Sequence, residues 1–328
     1  MAGRGSRLRP HTLTIPKPLV PVGGKPIVHR LVEDIARTLP QKIDEIAFVV
    51  GDFGKETENE LIAVAEKLGA KGSIYYQHQA LGTAHAVLCA EPCLSGPVVV
   101  AFADTLFKAD FTFDNQTDGI LWVSQIDDPS AFGVVKLDKD GFITDFVEKP
   151  KTFVSDLAMI GIYYFKNGEQ LRDELKYLID HNIVKGGEYQ LPDALKNLTQ
   201  KGVRFKPGKV DEWLDCGNKE VTVHTNQRVL EFDKEKKLIA DSATIINSTI
   251  IPPCFIGNNV NIENSVIGPH VSIGEKSMVQ NAVISNSIIQ SNAKISNTVF
   301  KNTMIGNHAH VKGKIADFSM GDYTTIEL

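Results

Sequence analysis

PVVVAFAD, residues 97–104, is apolar without a break from Val98 to Ala103 and ends in a carboxylate, Asp104. A short aliphatic run without polar alternation is the pattern of a strand covered on both faces, as in parallel sheets flanked by helices. The segments on its N-terminal side fit that pattern. IDEIAFVVG (43–51) reads as a buried strand and KETENELIAVAEKLG (55–69) as a helix closed by Gly69. SIYYQ (73–77) reads as a short strand and GTAHAVLCA (82–90) as a helix. Ahead of them, Ile27, Leu31, Ile35 and Leu39 outline an amphipathic helix that opens after the tight turn at Gly24 and Pro26. Alternating strands and helices imply βαβ units with helices on both faces of the sheet. Ligands of such sheets bind beyond the carboxyl ends of the strands, and Asp104 stands at such an end.

Downstream the alternation changes. DGILWVSQI (118–126), FGVVKLD (132–138), FITDFVEKP (142–150) and LAMIGIYYF (157–165) are strand-like and separated by short turns, which extends the sheet in antiparallel or mixed fashion. Helices follow at 168–182 and 189–202, then a strand pair in VRFKPGKVDEWLDCG (203–217), then a last helix at 218–232. From about Asp241 the texture is different. Isoleucines recur near six-residue steps among Asn, Ser and Gly, as in Ile256-Gly257, Ile262-Glu263, Ile267-Gly268 and Ile273-Gly274, with slips of one residue. Such a repeat places one aliphatic side chain on each side of a triangular coil, and stacked coils bury them together. Residues 241–328 suffice for roughly five coils at about 18 residues each.

Working outward to the chain's start, MAGRGSRLRPHTLTIPKP (1–18) combines Gly3 and Gly5 with Arg7, Arg9 and a proline-flanked Lys17. Glycine lets backbone N–H groups approach an anion, and fixed cations complete a cradle for phosphates. The spacing fits neither a Walker loop nor a dinucleotide fingerprint.

The whole chain of 328 residues, with 42% hydrophobic and 23% charged residues and a net charge of −5, has the composition of a soluble globular protein with more than one domain. That charge argues against a general nucleic-acid surface. Cys89, Cys93, Cys216 and Cys254 form no CxxC pair and are read as core or inert thiols. No signal peptide and no membrane-spanning apolar run is evident, so a cytoplasmic location and no membrane partner are expected. His11, His29, His78 and His85 are read as surface or packing residues.

Seven segments in order carry a resemblance: the opening loop, QHQALGTA (Gln77–Ala84), FAD (Phe102–Asp104), FGVV (Phe132–Val135), EKP (Glu148–Pro150), GEYQLPDAL (Gly187–Leu195) and WLDCG (Trp213–Gly217). Together they resemble the sugar-1-phosphate nucleotidyltransferases, and the repeat resembles the left-handed parallel β-helix that many of them append. The style of the opening loop is most similar to glucose-1-phosphate thymidylyltransferases, with uridylyl or mannose-1-phosphate guanylyl transfer as alternatives. The resemblance implies an α/β Rossmann-like mixed sheet over 1–225, a helix and linker over 226–240, and a hexapeptide-repeat β-helix over 241–328.

It also implies an NTP and a sugar-1-phosphate as partners, Mg²⁺ as cofactor, and a homo-oligomer. Arg7 and Lys17 are the implied catalytic residues. Ala2, Gly3, Gly5, Ser6, Gln77, Gly82 and Thr83 are implied to bind the nucleotide. Gly133, Glu148, Lys149, Gly161 and Glu188 are implied to face the sugar phosphate, and Asp104 and Asp215 to hold the metal. Three have a plainer reading: Asp104 as a helix cap, Lys149 as a turn residue, Asp215 as the closure of a turn before Gly217, whereas Arg7 and Lys17 are hard to explain as structure. Ala103 stands where the family commonly has glycine, and Asn218 where it often has threonine.

One departure is larger. Family members carry an apolar strand before the glycine loop, whereas only Met1 and Ala2 precede Gly3 here. The expectation is that Met1 is an internal methionine, and that a chain beginning there has a loosely anchored loop and weak turnover. Two readings of another class stay open: acyl transfer by the repeat domain using His270, His308 or His310, and a non-catalytic regulatory relative that binds nucleotide sugars.

Overall fold

A computed structural model describes residues 5–109 and 117–313. Ala2 and Gly3 lie outside the described residues. The chain divides into two compact units, one of residues 1–20 with 25–218 and one of residues 21–24 with 219–328.

In the first unit, helix α1 (Ile27–Thr38) buries Ile27, Val28, Leu31 and Val32, one stripe of its surface. Strand β1 (Glu45–Val50) leads to α2 (Lys55–Lys67), which has Glu56 and Glu58 in its first turn and Lys67 in its last, as the helix dipole favours. Gly69 (φ +74°) ends that helix in the left-handed conformation. Strand β2 (Lys71–Tyr76) then pairs parallel with β1. A Cβ on Gly72 would lie 2.8 Å from Ile62 Cα, so glycine lets α2 seat directly on the strand. Val28, Val32, Phe48, Val50, Leu61 and Val64 form the core of this half.

After α3 (Thr83–Leu88) come β3 (Val98–Ala101) and β4 (Thr105–Lys108). Strands β5 (Gly119–Gln125), β6 (Gly133–Leu137), β7 (Ile143–Glu148) and β8 (Leu157–Phe165) follow, then α4 (Gly168–Asp180), α5 (Leu191–Gln200), β9 (Phe205–Lys209) and β10 (Glu212–Asp215). The larger sheet runs β9-β5-β8-β6-β7, with β3 also on β8. It is mixed, because β9 lies parallel to β5 while the other ladders are antiparallel. Leu121, Val123, Leu171, Leu175, Leu191, Leu195 and Phe205 pack α4 and α5 against it.

One sequence expectation is corrected. The segments at 205–209 and 212–215 are strands but do not pair with each other. Phe205–Lys209 joins β5, and Glu212–Asp215 joins β4, a switch anchored by the Asp211 N–H donating to Lys108 O at 2.9 Å. Among the described residues no ladder joins β1 and β2 to β3.

In the second unit, helix α6 (Lys219–Phe232) precedes a three-sided parallel β-solenoid. Its registers advance 17 residues from Thr244 to Asn261 and from Asn261 to Met278, then 16 from Met278 to Lys294 and from Lys294 to His310. Among the described residues the solenoid makes about four turns, and its coil is shorter than the 18 residues expected. The cause lies at the corners, most of them turned by one residue in the left-handed conformation. Asn281, Asn286, Asn292 and Asn297 are successive examples, five or six residues apart. Asparagine tolerates that conformation through its short polar side chain. Ile262, Ile267, Ile273, Val279, Ile284 and Ile289 fill the interior.

Helix α6 contributes Asn226, which is fully buried. Its Oδ1 accepts from Gly23 N–H (2.8 Å) and Ser272 Oγ (2.7 Å), and its Nδ2 donates to His270 O (3.3 Å). Gly24 (φ +77°) leaves room for the Phe255 ring, which a Cβ would overlap at 2.3 Å. No described helix is long and apolar enough to cross a membrane.

Candidate active site

The opening loop is folded on itself by short hydrogen bonds. Gly5 takes φ +58° and caps a 3-10 turn of Ser6–Leu8, and its carbonyl accepts from Leu8 N–H at 3.0 Å and Thr12 Oγ1 at 2.7 Å. A Cβ on Gly5 would lie 2.9 Å from Lys17 Cβ, so glycine is what lets the two ends of the loop close. Leu8 is buried as the loop's anchor, while Ser6 and Arg7 are exposed. Pro16 and Pro18 fix the backbone around Lys17. The lysine residue is only 8% exposed, yet it extends its ammonium to Asp104 Oδ2 at 2.7 Å.

Asp104 and Asp215 meet because β4 and β10 pair antiparallel, Asp215 opposite Thr105, with Cys216 N–H donating to Asp104 O at 2.9 Å. Burial pushes the Asp215 carboxyl above the usual carboxylate range, and the charge of Asp104 pushes the same way. Lys17, Arg7 and the Gly217 N–H oppose that shift. Gly217 is bare for a reason, since a Cβ there would stand 2.8 Å from Asp215 Oδ2. Four residues far apart in sequence thus share one electrostatic field: Arg7, Lys17, Asp104 and Asp215. The capping and turn roles considered for the two aspartates do not account for that convergence.

A hard divalent cation fits this donor set. Two neighbouring carboxylates of like charge are relieved by a cation, and such ions complete their shell with water and phosphate oxygens. Among the described residues no group of three or more His, Cys, Asp or Glu side chains forms a self-sufficient metal cage.

Gly133 and Glu148 face each other across the β6–β7 ladder. A Cβ on Gly133 would lie 2.6 Å from Glu148 Oε2, so the carboxylate folds over the glycine. Lys149 (φ +45°) donates its N–H to Phe132 O at 3.0 Å and is exposed. The Phe132 ring packs edge-on against Trp213 at 4.8 Å, and Trp213 Nε1 donates to Thr105 Oγ1 at 2.6 Å. That chain of contacts ties the Gly133–Glu148 corner to the strands bearing the two aspartates. Gly161 (φ +84°) sits in a β-bulge of β8, where a Cβ would lie 2.9 Å from the Phe102 ring. Its small size is explained by Phe102, two residues before Asp104. The aromatic joints at Phe102, Phe132 and Trp213 were not singled out by the sequence reading, because only the register brings them together.

Gln77, Gly82, Thr83 and Glu188 form a further corner. Gly82 (φ +109°) is pressed against the backbone of Tyr189, where a Cβ would stand 2.4 Å from the carbonyl oxygen. Tyr189 N–H donates to Leu81 O at 2.8 Å, Ala84 N–H to Tyr189 O at 3.0 Å, and Leu191 N–H to Thr83 Oγ1 at 2.9 Å. These bonds zip the 81–84 loop to 188–191 and carry the exposed Glu188 beside Gly82. Buried Gln77 donates from Nε2 to Gly82 O and to His85 Nδ1, both at 3.0 Å. His85, read from sequence as a packing residue, is therefore a direct partner of a candidate ligand contact. His270 turns a solenoid corner (φ +62°) and bonds Glu231 Oε1 at 2.6 Å, and His308 turns another.

The nucleotidyl transferase family model matches residues 1–231. The chain is 27% identical to a glucose-1-phosphate thymidylyltransferase of Streptomyces antibioticus, over 99% of this chain and 97% of that protein. It is 31% identical to the bifunctional protein GlmU of Methanococcus maripaludis, over 96% of this chain and 71% of that protein. Among solved structures, a nucleoside-diphosphate-sugar pyrophosphorylase of Vibrio cholerae RC9 superposes with a TM-score of 0.60 at 22% identity, covering 69% of this chain and 98% of that one.

Proposed function

This chain belongs to the nucleotidyl transferase family, among the sugar-phosphate nucleotidyltransferases, and from that premise we propose that it joins dTTP to glucose-1-phosphate, giving dTDP-glucose and pyrophosphate. The observation that carries the reading is the convergence of Arg7, Lys17, Asp104 and Asp215 on one point, with Lys17 Nζ 2.7 Å from Asp104.

A phosphate oxygen of the sugar-1-phosphate attacks the α-phosphorus of the triphosphate, and the bond from that phosphorus to the β-phosphate bridging oxygen breaks. The nucleophile is already anionic at neutral pH, so no side chain has to remove a proton. The protein supplies in-line positioning and charge neutralisation. Arg7 stabilises the charge that builds on the departing pyrophosphate, and Lys17 holds the phosphates from its rigid stem. Asp104 and Asp215 would hold Mg²⁺, which when bound screens the phosphate oxygens. Gln77, Gly82 and Thr83 receive the nucleotide's base. Glu148 and Glu188 accept from sugar hydroxyls, and Lys149 offers an ammonium to the sugar's phosphate.

Pyrophosphate release should be measured for dTTP, UTP, GTP, CTP and ATP against glucose-1-phosphate, mannose-1-phosphate and N-acetylglucosamine-1-phosphate with Mg²⁺. The reading expects dTTP with glucose-1-phosphate to be fastest. A different best pair would revise the substrates, and no release from any pair would sink the reading.

A further inference from the structure

Gly82 O can only accept a hydrogen bond, so the end of the Gln77 amide that meets it at 3.0 Å is the NH₂ group. The second hydrogen of that NH₂ lies toward His85 Nδ1, also at 3.0 Å, so Nδ1 accepts and the imidazole proton sits on Nε2. Burial favours this neutral ring by lowering the His85 pKa. With both donors engaged, only the carbonyl oxygen of Gln77 remains to meet a ligand, and its hydrogen bonds among the described residues are all made through Nε2. A glutamine free to turn over could present either end. This one is latched.

We propose that His85 is a positioning residue that fixes Gln77 with its carbonyl toward the nucleotide, so that the site selects a base whose Watson–Crick edge carries a ring N–H. Thymine, uracil and guanine have that donor. Cytosine and adenine place a lone pair there, which would face the Gln77 oxygen without a proton between them. A site built to pair one hydrogen-bonding pattern rejects its complement, because buried groups are left unpaired. The inference rests on the nucleotidyl-transfer reading of the site for the place of the base. It adds what enforces the choice.

The test is nucleotide binding by the full chain, measured by titration calorimetry with dTTP, UTP, GTP, dCTP and ATP in Mg²⁺. The tightest of the first three should bind at least about tenfold better than the tighter of the last two. His85→Leu removes one of the two acceptors that hold the NH₂, leaves Gly82 O alone to oppose inversion, and should shrink that ratio by about threefold or more. His85→Asn returns an oxygen near the Nδ1 position and should restore most of it, which a merely structural role for the ring would not do. Preference for dCTP or ATP, binding of no nucleotide, or a ratio unchanged in a folded His85→Leu protein would overturn the proposal. Because the readout is binding, a protein that binds selectively but releases no pyrophosphate would contradict the function proposed above and still support this inference.

Discussion

Lys17 joins charge to packing. Its stem is buried between two prolines and its ammonium reaches Asp104 at 2.7 Å. A side chain immobilised by folding has little entropy left to lose when it meets a phosphate. Lys17→Met keeps the stem, removes the cation, and leaves Asp104 and Asp215 facing each other. It should lower kcat/KM by about 10²–10³-fold and cost roughly 1–3 kcal/mol of stability. Arg7 is exposed, so Arg7→Ala should lose comparable activity with unfolding unchanged within about 0.5 kcal/mol. Paired kinetics and thermal unfolding check this split, and a large stability loss in Arg7→Ala would contradict it. Gly82→Ala belongs to the same scale. Its Cβ would meet the Tyr189 backbone in a conformation that L-residues avoid, so a loss of at least about 2 kcal/mol is expected by denaturant unfolding. The charged members of the site were legible because arginine, lysine and aspartate in glycine- and proline-rich stretches have little structural work to do there. The link from Gln77 to His85 was not, because one helical turn decides it and a lone histidine letter carries no partner.

At the scale of elements, the solenoid was legible through its recurring isoleucines, but its pitch was not. Most corners spend one left-handed residue, and the spacing between successive ones from Asn259 onward is five or six, so the sequence shows slips where the structure shows regular stacking. Strands β9 and β10 show the converse failure. Both were recognisable as extended, yet which partner each takes depends on register with distant strands, which local pattern does not encode. Helix α6 is joined to the coils through Asn226, a buried amide with three bonded partners. Asn226→Leu removes the acceptor shared by the Gly23 N–H and the Ser272 hydroxyl, and should destabilise the protein by about 2–4 kcal/mol. Denaturant unfolding checks this, and a change below about 0.5 kcal/mol would show that the amide is dispensable.

At the scale of the molecule, one unit holds the opening loop, both aspartates and the three corners, and the other holds α6 and the solenoid. The net charge of −5 coexists with a cationic loop that faces a pair of carboxylates, an arrangement suited to small anions that arrive with a divalent ion. Among the described residues no ladder joins β1–β2 to the larger sheet, and the opening loop is held by Leu8, Thr12 and Lys17. The central claim is transfer of the α-phosphoryl group to a sugar phosphate. The most direct measurement follows the label of [α-³²P]dTTP incubated with glucose-1-phosphate, Mg²⁺ and the full chain. The account predicts label in dTDP-glucose, none in pyrophosphate, and no transfer after EDTA; label that stays in dTTP or appears only as free dTMP would contradict it.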